Sequence, residues 1–174
     1  MTPRKNASKK AFAERTFLNR FDLDTGNRFT SKDWAKVKKH FKERCVYCGK
    51  KEGAEVKLEK DHAIPINRQW LGLSRPGNIV PACQKCNSEK SDRHFVRFCR
   101  RQAIKGREAE TAIKEYMKEV GGKFRLGKNE YERKEIRKQM DKACKQAAEL
   151  RDNTVETIKK IVSKKKAKKT STKK

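Results

Sequence analysis

The segment CVYCGKKEGAEVKLEKDHAIPINRQWLGLSRPGNIVPACQKCNSEK, residues 45–90, decides the fold. It begins with the pair Cys45 and Cys48 and closes on the pair Cys83 and Cys86. A Cys-x-x-Cys spacing lets two thiolates bind one ion through a tight turn, and four thiolates complete a tetrahedral structural zinc site with no open position. Four unrelated core cysteines would not explain the paired spacing at both places. We therefore predict that zinc joins the two ends of this segment.

The residues between the two cysteine pairs predict the order strand, loop, strand, helix. Alternating apolar residues indicate a strand that ends at Asp61 and His62. Residues 67–77 are rich in turn formers, and residues 78–81 predict a second short strand. A helix then opens at Cys86. This order predicts an α+β fold with zinc at its two ends.

The segment resembles the ββα-metal core of HNH (His-Me finger) endonucleases, over about residues 31–93. The resemblance implies an α+β fold whose small ββα-metal core is stapled by the Cys-x-x-Cys zinc site. A helix would precede this core, and a long basic helical region would follow it. The resemblance rests on both cysteine pairs, Gly49, Asp61-His62, Pro65, Asn78-Ile-Val, Asn87-x-x-Lys90, and the preceding helix with Trp34 and Phe41.

The resemblance also implies a role for each residue of the site. His62 would be the general base that activates water, because an imidazole ordinarily titrates near neutrality. Asp61 and Asn87 would hold one catalytic divalent ion, and their hard oxygen donors favour Mg²⁺ or Mn²⁺. Asn78 would brace the loop and orient His62. In some relatives the metal-binding asparagine is counted differently, so Asn78 and Asn87 could exchange roles.

The charge of the chain points to a polyanionic partner. Lys and Arg number 48 against 22 Asp and Glu, so the formal net charge is +26. Nucleic acid fits this excess because neutralised phosphates release counterions. An anionic membrane surface or an acidic protein is the alternative. No stretch approaches the roughly 20 apolar residues of a membrane span, and no secretory signal is evident. We therefore expect an intracellular protein, cytoplasmic or nuclear and not secreted.

Composition divides the chain into four parts. Residues 1–30 form a basic N-terminal arm, 31–93 the nuclease core, 94–162 a helical basic region for DNA binding or dimerisation, and 163–174 a disordered lysine-rich tail. We expect basic residues at the end of the core and just after it to contact nucleic acid: Lys90, Arg93, Arg97, Arg100 and Arg101. Trp70 in the loop either stacks on bases or is buried beneath the loop.

The C-terminal region carries an apolar seam, which indicates either a helix that folds back on its own domain or a homodimer. Asn129 with Glu132 predicts a capping box at the start of a helix. Asn153 with Glu156 predicts a second box, where the helix would break and restart. The seam between them consists of Ile136, Met140, Ala143, Ala147 and Leu150.

The resulting hypothesis is a metal-dependent endonuclease that hydrolyses phosphodiester bonds of DNA, double-stranded DNA above all, as a restriction, homing or nicking enzyme. The first alternative is a non-catalytic zinc module that binds nucleic acid. The intact set Asp61, His62, Asn78 and Asn87 argues against it, because a binding module needs none of them. The second alternative is an RNA-directed nuclease, because metal-assisted phosphodiester cleavage does not itself discriminate DNA from RNA.

Overall fold

The structure, a computed structural model, describes residues 16–18, 29–122 and 124–171. Within these ranges the chain forms two strands and five helices of at least five residues. In chain order they are α1 (Ser31–His40), β1 (Leu58–His62), β2 (Ile79–Cys83), α2 (Gln84–Lys90), α3 (Phe95–Cys99), α4 (Ala103–Val120) and α5 (Glu130–Ser171). Among the described residues, no helix carries an apolar stretch long enough to cross a membrane.

A capping box starts α1. The hydroxyl of Thr30 accepts a hydrogen bond from Asp33 N at 3.2 Å, and the Asp33 carboxylate accepts one from Thr30 N at 2.8 Å. Ser31 is also of a residue type that favours the N-cap position, but it is the first helical residue. The helix ends at His40, because Lys42 and Glu43 take the positive φ angles 52° and 53°.

The two strands form an antiparallel pair that places the candidate site residues at one end. Asp61 pairs with Val80, and His62 pairs with Ile79. Every residue of β2 is buried, and Asp61 is the buried acidic residue of β1. Helix α2 follows β2 without a loop, with Cys83 as its N-cap. The predicted order strand, loop, strand, helix is confirmed, although α2 begins two residues earlier than predicted.

The core lies between the strand pair and the helices around it. Val37 of α1, Val80 of β2, Phe98 of α3 and Ile113 of α4 belong to one buried apolar cluster. Helix α3 approaches α4 closely at Gly106, where a Cβ atom would lie 1.9 Å from the Cys99 carbonyl oxygen. Gly106 therefore lies inside a helix, as a contact position, and does not interrupt the helical pattern.

The chain after α4 extends the loop between β1 and β2. Leu73 N donates to the Phe124 carbonyl at 2.9 Å, and Leu126 N donates to the Leu71 carbonyl at 2.9 Å. Phe124 also occupies the space above Gly77, where a Cβ atom would meet its ring at 2.2 Å. The loop that carries Trp70 is therefore held by a segment about 50 residues further along the chain, which no local sequence pattern predicts.

The chain divides into two units, residues 1–136 and 137–174. The first unit contains α3 and α4 together with the predicted nuclease core 31–93. Most of the predicted basic arm, 1–30, lies outside the described residues.

The second unit is helical as far as Ser171. Two expectations from the sequence are therefore wrong. The predicted break near Asn153 is absent from the described helix, where the hydroxyl of Thr157 donates to the Asn153 carbonyl at 2.9 Å. The lysine-rich tail, predicted to be disordered, is helical as far as Ser171. Lys and Ala are good helix formers, and no Gly or Pro follows Gly127. The predicted N-cap at Asn129 is confirmed by a 2.9 Å bond from Glu132 N to Asn129 Oδ1, whereas the Glu132 carboxylate accepts from Lys128 N at 2.7 Å and not from Asn129 N, so the reciprocal half of the predicted capping box is displaced by one residue.

Candidate active site and structural metal site

The four paired cysteines converge on one point. All four Sγ atoms lie within 4.8 Å of one another, and the Sγ atoms of Cys48 and Cys83 are 3.7 Å apart. A tetrahedral zinc ion with Zn–S bonds of about 2.3 Å separates its sulfurs by about 3.8 Å. The cluster therefore has the size and the ligand type of a four-thiolate zinc site.

Two different local structures supply the two cysteine pairs. In the first, Gly49 N donates to the Cys45 carbonyl at 2.8 Å, and Gly49 takes a φ of 75° that favours glycine. In the second, Cys83 caps α2 and Cys86 lies in its first turn. Burial raises the pKa of the Cys45 thiol to about 11 and raises that of Cys86 further. A bound dication would favour the thiolate forms of these residues.

Three of the predicted catalytic residues line one cavity. This cavity, of about 460 Å³, lies at the end of β1 and the side of α2. It contains Asp61, His62 and Asn87, together with Lys60, Pro65, Ile66, Ser74, Lys90, Ser91 and Asp92. The structure thus brings together the carboxylate, the imidazole and the carboxamide that the sequence singled out.

The His62 ring has a hydroxyl partner on the loop. Its Nε2 lies 3.0 Å from Ser74 Oγ. The backbone carbonyl of His62 accepts a hydrogen bond from Lys90 Nζ at 2.7 Å. Both the ring and the backbone of His62 are therefore held, one by the loop and one by α2. The sequence analysis did not identify Ser74.

Asp61 is fixed by two buried donors. Tyr47 Oη donates to Asp61 Oδ2 at 2.6 Å, and Lys90 Nζ donates to Asp61 Oδ1 at 2.9 Å. Burial and the negative charge of Asp61 raise the pKa of Tyr47 well above its usual value, so the phenol remains a donor. An ionised carboxylate has about four lone-pair positions, so these two bonds leave acceptor capacity on Asp61.

Lys90 differs from the expectation that it contacts phosphate. Its side chain is only 1% exposed, and its ammonium is bonded to Asp61 and to the His62 carbonyl. A cation almost never lies buried unless it is paired, and here the pairing explains the burial. The geometry makes Lys90 a residue that positions Asp61 and His62.

Asn78 does not line the cavity. Its side chain holds the loop that follows His62 on the chain. It is fully buried, at 0% exposure, and Oδ1 accepts from Ile64 N at 2.7 Å. Nδ2 donates to the Ile64 carbonyl at 3.0 Å and to the Leu73 carbonyl at 2.8 Å. The side chain thus joins the two ends of the loop, an arrangement that favours the bracing role over the metal-binding one.

Asn87 is oriented by a carboxylate that the sequence analysis missed. Its Nδ2 donates to Glu59 Oε2 at 2.7 Å. Glu59 lies two residues before Asp61 on β1, so both side chains leave the same face of the strand. This two-residue spacing was the available signal. The bond uses the amide nitrogen and leaves the oxygen for another partner.

The remaining predicted nucleic-acid contacts separate into two groups. Arg97, Arg100 and Arg101 are exposed. Arg93 instead packs its guanidinium 5.8 Å from the centre of the Phe98 ring, and its buried Nε has no hydrogen-bond partner within the described residues. The exposed three are therefore better placed than Arg93 to reach a phosphate.

Residues 45–93 match the family model described as HNH endonuclease. Residues 45–93 are therefore similar to an HNH endonuclease domain, and they are called the HNH domain below. The HNH domain contains both cysteine pairs and all four predicted catalytic residues, so the resemblance drawn from the motifs is confirmed.

Known proteins match the chain over different lengths. YoqL of Bacillus subtilis (strain 168), whose name describes it as an HNH endonuclease derived from the SPbeta prophage, is 30% identical over 86 residues. The match covers 42% of this chain and 34% of YoqL, so it spans about a third of the length of that relative. The crystal structure of the Type II-C Cas9 enzyme from Actinomyces naeslundii is 21% identical, with a TM-score of 0.39, over 79% of this chain and 15% of that chain.

The donor atoms of the HNH domain fit two kinds of ion. The four thiolates suit zinc, as argued above. The Asp61 carboxylate and the Asn87 carboxamide oxygen are hard donors of the type that Mg²⁺ and Mn²⁺ prefer, and they line the same cavity as His62. Lys60 and Lys90, of which Lys90 is bonded to Asp61, oppose a cation in this cavity by their like charge.

Proposed function

We propose that this protein is a metal-dependent endonuclease that hydrolyses phosphodiester bonds of DNA. The observation that carries the proposal is the shared cavity of His62, Asp61 and Asn87 inside an HNH domain. A general base and two oxygen donors on one wall are what hydrolysis of a phosphodiester requires. A binding module would need neither the base nor the donors.

His62 is the general base of the proposed reaction. In the tautomer whose Nε2 donates to Ser74 Oγ, the neutral ring carries its lone pair on Nδ1. That nitrogen takes a proton from water, and the hydroxide attacks the phosphorus in line. Lys90 holds the His62 carbonyl and thereby the position of the ring on β1. The products carry a 5′ phosphate and a 3′ hydroxyl.

Asp61 and Asn87 would hold the catalytic divalent cation, Mg²⁺ or Mn²⁺. When bound, such an ion stabilises the charge that develops on the phosphate oxygens and on the leaving 3′ oxygen. Tyr47 and Lys90 fix the Asp61 carboxylate, and Glu59 fixes the Asn87 amide. Such supporting bonds reduce the reorganisation that ion binding requires.

Duplex DNA is the proposed partner, with the helices after the HNH domain as its docking surface. Arg97, Arg100 and Arg101 are exposed, and the chain has a formal net charge of +26. Each phosphate neutralised by such a side chain releases counterions, so binding should weaken with salt. Restriction, homing and nicking enzymes are all compatible with this arrangement, and a homodimer through α5 would allow cleavage of both strands.

Cleavage of supercoiled plasmid tests the proposal. Purified protein is incubated with Mg²⁺ or Mn²⁺, beside His62→Ala and a sample with EDTA. We expect nicked or linear plasmid from the wild type alone. Cleavage by His62→Ala at the wild-type rate would show that the base is misassigned, and a gel shift without cleavage under either metal would favour a zinc-containing binding module. A panel of duplex DNA, single-stranded DNA and RNA then separates a DNA endonuclease from an RNA-directed one.

A further inference from the structure

A second cavity on the first unit lies beside the HNH domain. Its volume is about 400 Å³, within the range of roughly 300–1,000 Å³ that is typical of sites for small molecules. Two rings, one apolar side chain and two cations line it: Trp70, His94, Val96, Arg97 and Arg100. The second cavity therefore has an aromatic wall and a positively charged rim.

The Trp70 ring packs at a tilt of 48° against His94, a neutral ring that also lines the cavity. Its centre lies 4.6 Å from that of His94, and His94 in turn stacks on Phe95 at 4.8 Å with an interplanar angle of 27°. Burial, together with nearby Arg125 and Lys90, lowers the pKa of His94 to about 4. The imidazole is therefore neutral at physiological pH, and the stack presents no charge of its own to the cavity.

The backbone fixes where Trp70 stands. Trp70 N donates to Asn67 Oδ1 at 2.9 Å, and the next residue, Leu71, takes a φ of 55°. A side chain held by both a turn and a stacking partner loses little conformational freedom when a ligand binds. Trp70 is thus neither fully buried beneath the loop nor loose on it, since the ring remains only half-buried.

The two arginines provide charge at the rim of this cavity. Arg97 and Arg100 are three residues apart across the end of α3, so they lie on one side of it. Both are exposed, and no ion pair joins either of them to an acidic residue in the described part of the chain. Their guanidinium groups can therefore bind phosphate oxygens without first breaking a salt bridge.

Both cavities are built from the same two stretches of chain. Residues 66–74 supply Ile66 and Ser74 to the candidate active site and Trp70 to the second cavity. Residues 90–100 supply Lys90 to the first and His94 to the second. A nucleic-acid strand bound in the candidate active site could therefore also extend into the second cavity.

We propose that this second cavity binds one unpaired nucleotide, with its base on Trp70 and its phosphate on Arg97 and Arg100. The base must be unpaired and unstacked, because neighbouring bases cover both of its faces in a duplex. Stacking on an aromatic ring tolerates any base, so the site would recognise single-stranded character without sequence preference. That this nucleotide belongs to the cleaved strand rests on the proposed nuclease function, whereas the binding of a nucleotide in this cavity does not.

Binding of short oligonucleotides in EDTA tests the site without any cleavage. Fluorescence anisotropy is measured for a labelled thymidine 12-mer, for the same oligomer with abasic positions, and for a duplex. We expect Trp70→Leu to weaken binding of the thymidine oligomer about tenfold, while Trp70→Phe keeps most of it. The abasic oligomer should bind the wild type about as weakly as the thymidine oligomer binds Trp70→Leu, and Trp70→Leu should weaken it no further.

The arginines provide the matched control. Arg97→Gln and Arg100→Gln should weaken the thymidine and the abasic oligomers equally, and each should reduce the salt dependence by about one counterion. A uridine 12-mer tested in parallel shows whether the nucleotide is taken from DNA, from RNA or from both. Equal binding of the thymidine and abasic oligomers by the wild type would overturn the proposal.

Tryptophan emission keeps the test valid if Trp70→Leu fails to fold. The oligonucleotide should quench the emission of the wild type, and this quenching should disappear in Trp70→Phe, which retains Trp34. Unchanged quenching in Trp70→Phe would contradict the proposal. A protein that binds oligonucleotides in this way but never cuts plasmid would contradict the proposed nuclease function and support the nucleotide site. A protein that cuts plasmid but does not bind in this way would contradict the nucleotide site and leave the nuclease function standing.

Discussion

Lys90 Nζ lies 2.9 Å from Asp61 Oδ1, and the two side chains are only 1% and 5% exposed. This buried ion pair joins α2 to β1 in the middle of the HNH domain. Because Lys90 also binds the His62 carbonyl, a single ammonium positions the proposed metal ligand and the backbone of the proposed base. The pair therefore connects the stability of the domain with the geometry of its site.

Breaking this ion pair should destabilise the protein strongly. Lys90→Met leaves a buried carboxylate without its cation, which costs about 3–5 kcal/mol in comparable buried pairs. Urea unfolding of the zinc-loaded protein measures the change. The double variant Asp61→Leu with Lys90→Met removes both charges and should recover much of the loss. A loss below about 1 kcal/mol in Lys90→Met would show that the pair does not hold in solution.

The bonds of Asn78 should matter to stability and to the placement of His62. Asn78→Ala removes three hydrogen bonds and leaves the Ile64 and Leu73 carbonyls buried without this donor. We expect a loss of about 2–4 kcal/mol. Cleavage should also slow in kcat with little change in KM. Unchanged stability together with lost metal binding would instead assign Asn78 to the ion and exchange its role with that of Asn87.

Glu59 should set the metal affinity through Asn87. Glu59→Ala frees the amide to rotate, and supporting residues of this kind typically contribute about 10- to 100-fold in metal affinity or activity. Titration of Mn²⁺ into the protein, beside the metal dependence of cleavage, measures the effect. Glu55→Ala is the matched control, since Glu55 is a nearby exposed acid and its removal changes the net charge equally. Equal effects of the two variants would mean that only charge matters.

The fold and the site were predictable from sequence where short-range spacing carried the information. Two Cys-x-x-Cys pairs predicted the sulfur cluster, and Asp61-His62 at the end of an alternating run predicted the residues at the end of β1. These signals are local because a tight turn or a strand end places the side chains.

Contacts between distant residues could not be predicted in this way. The Lys90 ammonium reaches Asp61 across 29 positions, and the Phe124 segment pairs with the loop around Leu73. A lysine on a basic helix is usually solvated, so nothing local marked Lys90 as buried. The helix also continues past Asn153, contrary to prediction, although Asp152, Asn153, Thr154 and Val155 are weak helix formers; this stretch contains no Gly or Pro to end the helix.

Removal of zinc should unfold the HNH domain. The four thiolates join the first cysteine pair to the start of α2, and the cluster has no disulfide to replace the ion. A strong chelator, or Cys86→Ser, should abolish cooperative unfolding and reduce α-helical circular dichroism; re-added zinc should restore the chelated wild type alone. Cys99→Ser is the control, because this buried cysteine lies outside the cluster. A chelated protein that keeps its melting transition would contradict a structural role for zinc.

His94 should make the protein less stable as the pH falls. Burial, with the positive charges of Arg125 and Lys90 and against the opposing charge of Glu110, lowers the pKa of His94 to about 4, below the value of about 6.5 of an unfolded chain. Between about pH 6.5 and 4 the unfolded state therefore binds a proton that the folded state excludes, and the free energy of unfolding decreases. Above pH 6.5 both states are neutral, and the contribution of His94 no longer changes with pH.

Comparison with His94→Phe isolates this effect from the protonation of zinc ligands, which affects both proteins. Between pH 7.5 and pH 5.0 the wild type should lose about 1–2 kcal/mol more than the variant in urea unfolding, an amount reduced from the full linkage because the ring is partly solvated. Parallel loss in the two proteins would show that the imidazole is as accessible to protons in the folded state as in the unfolded one.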